Sequence, residues 1–134
     1  MKSSEKGKAL KTILLADDEA NLRILVRTTL DDAEYCIIEA ADGTTALELA
    51  RQQRPDLLVL DWMMPGLNGI DVVQALRQDP VTAHIPIIML TARGQETDKE
   101  RGHSLGTSAY LVKPFSPLEL LRKVQELLEY TAQA

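Results

Sequence analysis

The chain has 134 residues, room for one ordinary domain and too little for a second folded unit. Hydrophobic residues make up 45% and charged residues 26%, the balance of a globular protein and not of a disordered or fibrous one. With 20 acidic against 15 basic side chains the formal net charge is -5, which disfavours direct binding of nucleic acid, and no apolar run reaches the length of a membrane span or resembles a signal-peptide core.

Residues 1–10 form a polar lead-in in which Lys2, Lys6 and Lys8 alternate with small and polar residues and Glu5, the pattern of a solvated tail. The folded domain is expected over residues 11–130, with 131–134 as a frayed end. Short apolar runs at 12–16, 35–39, 56–60, 85–90 and 108–112 read as strands, with helical patterns between them, giving five β/α units. Runs such as Ile13-Leu14-Leu15-Ala16 and Leu57-Leu58-Val59-Leu60 are apolar on both faces, as expected of parallel strands with helices on each side. The expected fold class is therefore α/β, a doubly wound five-stranded parallel sheet.

Helical stripes appear in Leu22, Leu25, Val26 and Leu30, in Ile70, Val73 and Leu76, and in Leu118, Leu121, Val124 and Leu128. Residues 95–104 carry almost no apolar stripe, so the fourth predicted helix is expected to be weakly held and the most mobile. The last helix has a strong start signal in Ser116-Pro117-Leu118-Glu119: serine as N-cap, proline at the first helical position, glutamate closing a capping box. Cys36, the single cysteine, cannot pair internally, and its place in an apolar run suggests a small buried hydrophobe; the expected compartment is the reducing cytoplasm.

Right-handed crossovers put every strand's C-terminal end on one rim, where open α/β sheets bind ligands. The first strand runs into Asp17 and Asp18, the third into Asp61, the fourth into Thr91 and the fifth into Lys113. One acidic residue there can be a simple helix cap, a role open to Asp17 or Asp18. Three carboxylates gathered on one rim repel by roughly 1 to 4 kcal/mol per pair and call for positive charge. Hard oxygen ligands suit Mg²⁺, and Lys113 supplies a fixed cation. So arranged, a carboxylate can attack a phosphoryl donor while a hydroxyl such as that of Thr91 holds one equatorial oxygen.

The strings Leu14-Leu15-Ala16-Asp17-Asp18-Glu19, Leu60-Asp61-Trp62-Met63-Met64-Pro65-Gly66, Leu90-Thr91-Ala92 and Tyr110-Leu111-Val112-Lys113-Pro114-Phe115 resemble the bacterial two-component response-regulator receiver family, of the chemotaxis type, over nearly the whole chain. The resemblance implies a flavodoxin-like strand order 2-1-3-4-5 and a signalling switch that is not an enzyme on other substrates, though it catalyses its own phosphorylation and dephosphorylation. It implies that Asp61 is the phosphoacceptor, and that Asp18 binds Mg²⁺ directly, Asp17 through water and Met63 through its backbone carbonyl. Lys113 and Thr91 would contact the phosphoryl group, which a histidine kinase or phosphotransfer protein supplies. Thr91 and Tyr110 would switch, altering the surface of the fourth predicted helix, the fifth strand and the fifth predicted helix for a downstream protein or a phosphorylation-dependent homodimer. No membrane or nucleic-acid partner is implied, and the Lys113-Pro114 bond is expected to be cis.

The chain departs from that pattern at Gly106-Thr107-Ser108, where Gly-Ala-Asp is common, and at Asn68, where aspartate is common; neither is expected to touch the chemistry. Met63 and Arg93 occupy positions that tune the access of water to the phosphoryl group in this family, and their bulk points to slow hydrolysis; a pair of solvated side chains is the alternative. His84 and His103 lack partners at zinc-ligand spacing. Trp62 is expected on the rim beside the metal. A haloacid-dehalogenase-like phosphatase would need a second aspartate where Met63 stands and room for a cap, and a docking module that is never phosphorylated would have no use for Asp17, Asp18, Asp61, Thr91 and Lys113 together. No Gly-x-Ser-x-Gly elbow, P-loop or Gly-x-Gly-x-x-Gly fingerprint is present. The sequence stops soon after the last predicted helix, so the expected arrangement passes its signal to another protein or is the receiver of a longer regulator or hybrid kinase.

Overall fold

In the central strands side-chain parity divides the apolar residues between two faces. Leu14, Ala16, Leu58, Leu60, Ile87 and Met89 enter one core cluster, and Ile13, Leu15, Leu57, Val59, Ile88 and Leu90 enter the other. The computed structural model describes residues 10–32, 35–92 and 106–133. Along the chain it places β1 (Thr12–Ala16), α1 (Ala20–Asp32), β2 (Cys36–Ala40), α2 (Gly43–Gln53), β3 (Leu57–Asp61), α3 (Gly69–Gln78), β4 (Ile87–Ala92), β5 (Ala109–Lys113) and α4 (Pro117–Gln133). The strands form one parallel sheet in the order β2-β1-β3-β4-β5, the expected doubly wound arrangement. Helices α2 and α3 supply Ala46, Ala50, Ile70, Val73 and Leu76 to one cluster; α1 and α4 supply Val26, Leu30, Leu120, Val124 and Leu128 to the other. The predicted helix over 95–104, with Arg93 and His103, lies outside the described residues.

The helix starts follow local chemistry. Asp42 caps α2 by accepting the Thr45 N–H at 2.7 Å, and Asn68 caps α3 by accepting the Asp71 N–H at 3.0 Å, so the neutral amide fills the capping role as well as aspartate would. At α4 the capping box is reciprocal: Glu119 N–H donates to Ser116 Oγ at 3.1 Å and Ser116 N–H to Glu119 Oε1 at 2.9 Å. This last helix continues to Gln133.

Several sequence expectations need correction. Strands β2, β3 and β5 sit one residue later than the apolar runs, and β4 ends at Ala92 and not at Leu90. The ladder, not hydrophobicity, sets the ends: Asp61 pairs with Leu90, Thr91 with Val112 and Ala92 with Lys113. The polar rim residues are thus held in the sheet. Cys36 is exposed, since it opens β2, an edge strand with one neighbour. Leu25 and Leu118 are exposed, while Leu120 is buried. In α4 the buried stripe is Leu120, Val124 and Leu128, four residues apart, and Leu118 lies about 200° round the helix from Leu120.

Candidate functional site

Parity brings the rim residues together. Asp17 continues the Ile13, Leu15 series, Asp61 the Leu57, Val59 series, and Lys113 follows Leu111, all on the face covered by α1 and α4. Asp17 is fully buried and Asp61 nearly so, whereas Asp18 is exposed. One carboxylate oxygen from each of the three lies within 4.8 Å of the others. Lys113 Nζ stands between the buried pair, 2.9 Å from Asp17 Oδ2 and 3.2 Å from Asp61 Oδ1.

Asp17 is held firmly. Its N–H donates to Ala40 O at 3.1 Å, extending the β1–β2 ladder, and its Oδ1 accepts the Glu19 N–H at 2.9 Å. That second bond is an Asx turn just ahead of α1 and not a bond to a helical N–H, so it differs from the capping contact expected of Asp17 or Asp18. Oδ2 faces Lys113 as an ion pair without hydrogen-bond alignment. Burial, then the charge of Asp17, pushes the Asp61 carboxyl up to about 6, even though Lys113 and the Met63 backbone N–H favour its ionised form. Burial works against the Lys113 ammonium, but its contacts with Asp17 and Asp61 outweigh that and hold its pKa above the usual lysine value.

Thr91 stands at the same rim, at the end of β4. It is 1% exposed, and among the described residues its Oγ1 has no hydrogen-bond partner. A buried hydroxyl left unpaired costs about 1–3 kcal/mol, so it is a group waiting for an acceptor. Met63 lies two residues past the end of β3, with its side chain largely exposed. Trp62 corrects an expectation: its backbone N–H extends the ladder to Leu90 O at 3.0 Å, but its side chain takes the opposite parity and packs in the core under α2 and α3. Tyr110 is partly buried against that same cluster, and its hydroxyl accepts a hydrogen bond from Thr107 Oγ1 at 2.7 Å. The departure at Thr107 therefore touches one of the residues implicated in switching. Ser108, beside it, uses its Oγ to accept the Ile87 N–H at 3.0 Å.

Sequence reasoning missed three residues that shape this rim. Gly69 lies under β3: a Cβ there would meet Asp61 O at 2.8 Å, and its N–H donates to Trp62 O at 2.8 Å, so the loop after Asp61 closes tightly on the strand end. At Gly43 a Cβ would meet Leu67 O at 1.9 Å, which lets the same loop press on the start of α2. Arg23, on α1, donates from Nη1 to the carbonyl of Asp17 at 2.7 Å and from Nε to Glu39 at 3.0 Å. An arginine five residues after the acidic pair, with a glutamate at the end of the second apolar run, was the available signal. His84 is exposed and Cys36 lies on the far end of β2; neither joins the site. Among the described residues no helix is long and apolar enough to cross a membrane.

Residues 13–125 match the family model for the response regulator receiver domain. The phosphate regulon transcriptional regulatory protein PhoB of Pseudomonas aeruginosa is 43% identical over 121 residues, covering 90% of this chain and 53% of PhoB. The chain spans about half the length of the curated relatives it matches. Among solved structures, the chemotaxis response regulator CheY4 of Vibrio cholerae superposes with a TM-score of 0.84 at 36% identity, over 89% of this chain and 99% of CheY4. The receiver domain of the sensor histidine kinase PA1611 of P. aeruginosa, which has a magnesium ion coordinated in its active site cleft, gives a TM-score of 0.83 at 31% identity, over 90% of this chain and 99% of that one. By fold, motif order and sequence similarity together, the chain belongs to the response-regulator receiver family.

Proposed function

We propose that the chain is a phosphoaccepting receiver of a two-component phosphorelay, with Asp61 as the acceptor. The observation that carries this reading is the charge-frustrated rim: three clustered carboxylates, one lysine between the two buried ones, and a buried threonine hydroxyl without a partner.

The donor set fits Mg²⁺, because hard carboxylate oxygens converge and two of them are buried among like charges that, among the described residues, one ammonium offsets. Asp17, Asp18 and Asp61 would hold the ion, with the Met63 carbonyl as a further ligand. Bound there, Mg²⁺ supplies charge neutralisation for carboxylates and phosphoryl oxygens alike.

The chain's own groups do the rest. A carboxylate oxygen of Asp61 attacks the phosphorus of a phosphohistidine on a histidine kinase or phosphotransfer protein. The O–P bond forms as the P–N bond breaks, and the imidazole, already protonated on its other ring nitrogen, takes the bonding pair and leaves as the neutral base. Lys113, already 3.2 Å from Asp61, pairs with the charge gained on the phosphoryl oxygens, and the free hydroxyl of Thr91 donates to another of them. That hydrogen bond draws Thr91 toward the site, and Tyr110, in the neighbouring strand, repositions in turn. The changed surface around β5, α4 and the predicted helix over 95–104 signals to a downstream protein or to a second copy of the chain. The chain catalyses its own phosphorylation and dephosphorylation, and acts on no other substrate. Its site of action is the cytoplasm, without a nucleic-acid or membrane partner of its own.

Intact-protein mass after incubation with acetyl phosphate tests this directly. The expected result is a Mg²⁺-dependent gain of one phosphoryl group that Asp61→Asn abolishes. No gain under any condition overturns the reading.

A further inference from the structure

We propose that Arg23 is a positioning residue for the Asp17–Asp18 corner and thereby sets the affinity of the rim for a divalent cation. The inference rests on the reading above that this corner binds Mg²⁺.

Arg23 lies on α1 with its side chain only 20% exposed, and its guanidinium bridges two elements. Nη1 donates to the carbonyl oxygen of Asp17 at 2.7 Å, and Nε to Glu39 Oε1 on β2 at 3.0 Å. Arg27, one turn further along α1, holds the other carboxylate oxygen of Glu39. The two arginines and Glu39 thus form a rigid brace between α1 and the edge strand. Asp17's N–H is tied to the same strand through Ala40 O. Both flanking peptides of Asp17 are therefore referenced to β2, one directly and one through the guanidinium.

The carbonyl that Arg23 grips belongs to the peptide joining Asp17 to Asp18. Fixing its plane fixes the direction in which Asp18 leaves the strand. Asp18 is exposed, so packing does little to aim its carboxylate, and the backbone must do so. Partners that orient metal ligands from behind typically change affinity by about 10 to 100-fold when removed. Arg23 acts through a peptide and not through the carboxylate itself, so the lower end, about tenfold, is expected.

A competing effect has the opposite sign. Arg23 is also a cation near a cation site, and if charge dominated, its removal would tighten Mg²⁺ binding. The bidentate planar grip on a carbonyl and a carboxylate is what a lysine cannot reproduce, although lysine keeps the charge. The two contributions therefore separate experimentally.

The test is calorimetric titration of the unphosphorylated chain with Mg²⁺, on wild type, Arg23→Met and Arg23→Lys. Urea unfolding in chelator accompanies it to establish that each variant folds. Hydrogen exchange of the Glu19 amide, which donates to Asp17 Oδ1, gives a readout of the corner without metal. Expected are about tenfold weaker Mg²⁺ binding in Arg23→Met, a smaller loss in Arg23→Lys, and faster Glu19 exchange in both. If Arg23→Met does not fold, a severalfold loss in Arg23→Lys carries the inference and an unchanged affinity there refutes it. Equal or tighter binding by a folded Arg23→Met overturns the inference while leaving the metal reading intact. A wild type that shows no saturable Mg²⁺ binding overturns the metal reading, and this inference with it.

Discussion

Replacing Asp61 with asparagine should stabilise the metal-free protein. Asp61 is only 6% exposed, and its pKa is raised from 3.8 to about 6, first by burial and then by Asp17. At 1.36 kcal/mol per unit, holding that carboxylate ionised costs the fold about 3 kcal/mol, net of what Lys113 returns. Because the folded-state pKa lies above the unfolded value, the fold binds the proton more tightly, and stability falls as pH rises from about 4 to about 6. Asparagine has the same shape and no charge, so the variant escapes that loss. The difference should be close to zero near pH 4, grow through the interval up to about 6, and level off above it. For a domain of this size about 3 kcal/mol corresponds to a rise in Tm on the order of 10 °C. Thermal and urea unfolding in chelator between pH 4 and 8 would measure it, and saturating Mg²⁺ should then narrow the gap by binding the wild type preferentially. A gap independent of pH, or an asparagine variant less stable than wild type at pH 7.5, would refute the claim that the carboxylate is strained by its surroundings.

Other substitutions probe the remaining parts. Thr91→Val removes the unpaired buried hydroxyl and should leave unfolding stability equal to wild type or up to about 1 kcal/mol above it, while slowing phosphorylation by acetyl phosphate roughly tenfold or more; a clear loss of stability would show that Oγ1 has a structural partner. Gly43→Ala places a methyl 1.9 Å from Leu67 O and should cost about 3 kcal/mol or more in urea unfolding, whereas a loss under 1 kcal/mol would mean that the loop after β3 gives way easily. Leu120→Ala should cost about 2–5 kcal/mol and Leu118→Ala less than about 0.5 kcal/mol, and equal effects would contradict the burial of the one and the exposure of the other.

The architecture was legible because parallel strands buried on both faces leave apolar runs that no loop imitates, and because the capping chemistry of Ser116 and Glu119 is local. The strand ends were not legible from hydrophobicity, since Asp61, Thr91 and Lys113 stay in the ladder though they are polar. Parity would have placed Trp62 correctly: alternate residues of one strand face opposite ways, so the neighbour of a rim carboxylate points into the other layer. Leu25 and Leu118 were misjudged because a 3.6-residue period shows that a stripe exists without fixing its centre. Gly43 acts through a close approach to Leu67, 24 residues on, and Arg23 joins Asp17 to Glu39 on another strand, whereas Gly69 closes a short loop back onto Asp61; the first two depend on tertiary neighbours and the third on a loop conformation, neither of which hydrophobic periodicity encodes.

On the proposed reading, the features that mark the site also account for a signalling switch. A fold normally satisfies its buried polar groups, yet here a carboxylate stays ionised at a cost and a threonine hydroxyl has no partner, both at strand ends that the ladder will not let move far. Relief must come from what binds. On the proposed reading a cation would offset the repulsion among Asp17, Asp18 and Asp61, and a phosphoryl group on Asp61 would give Thr91 an acceptor and Lys113 a further one. Each ligand is worth only its differential affinity for the rearranged state, so the deficits left in the resting rim are what a phosphoryl group can convert into a shift of population. A rim already satisfied in its resting state would bind the same groups and change nothing.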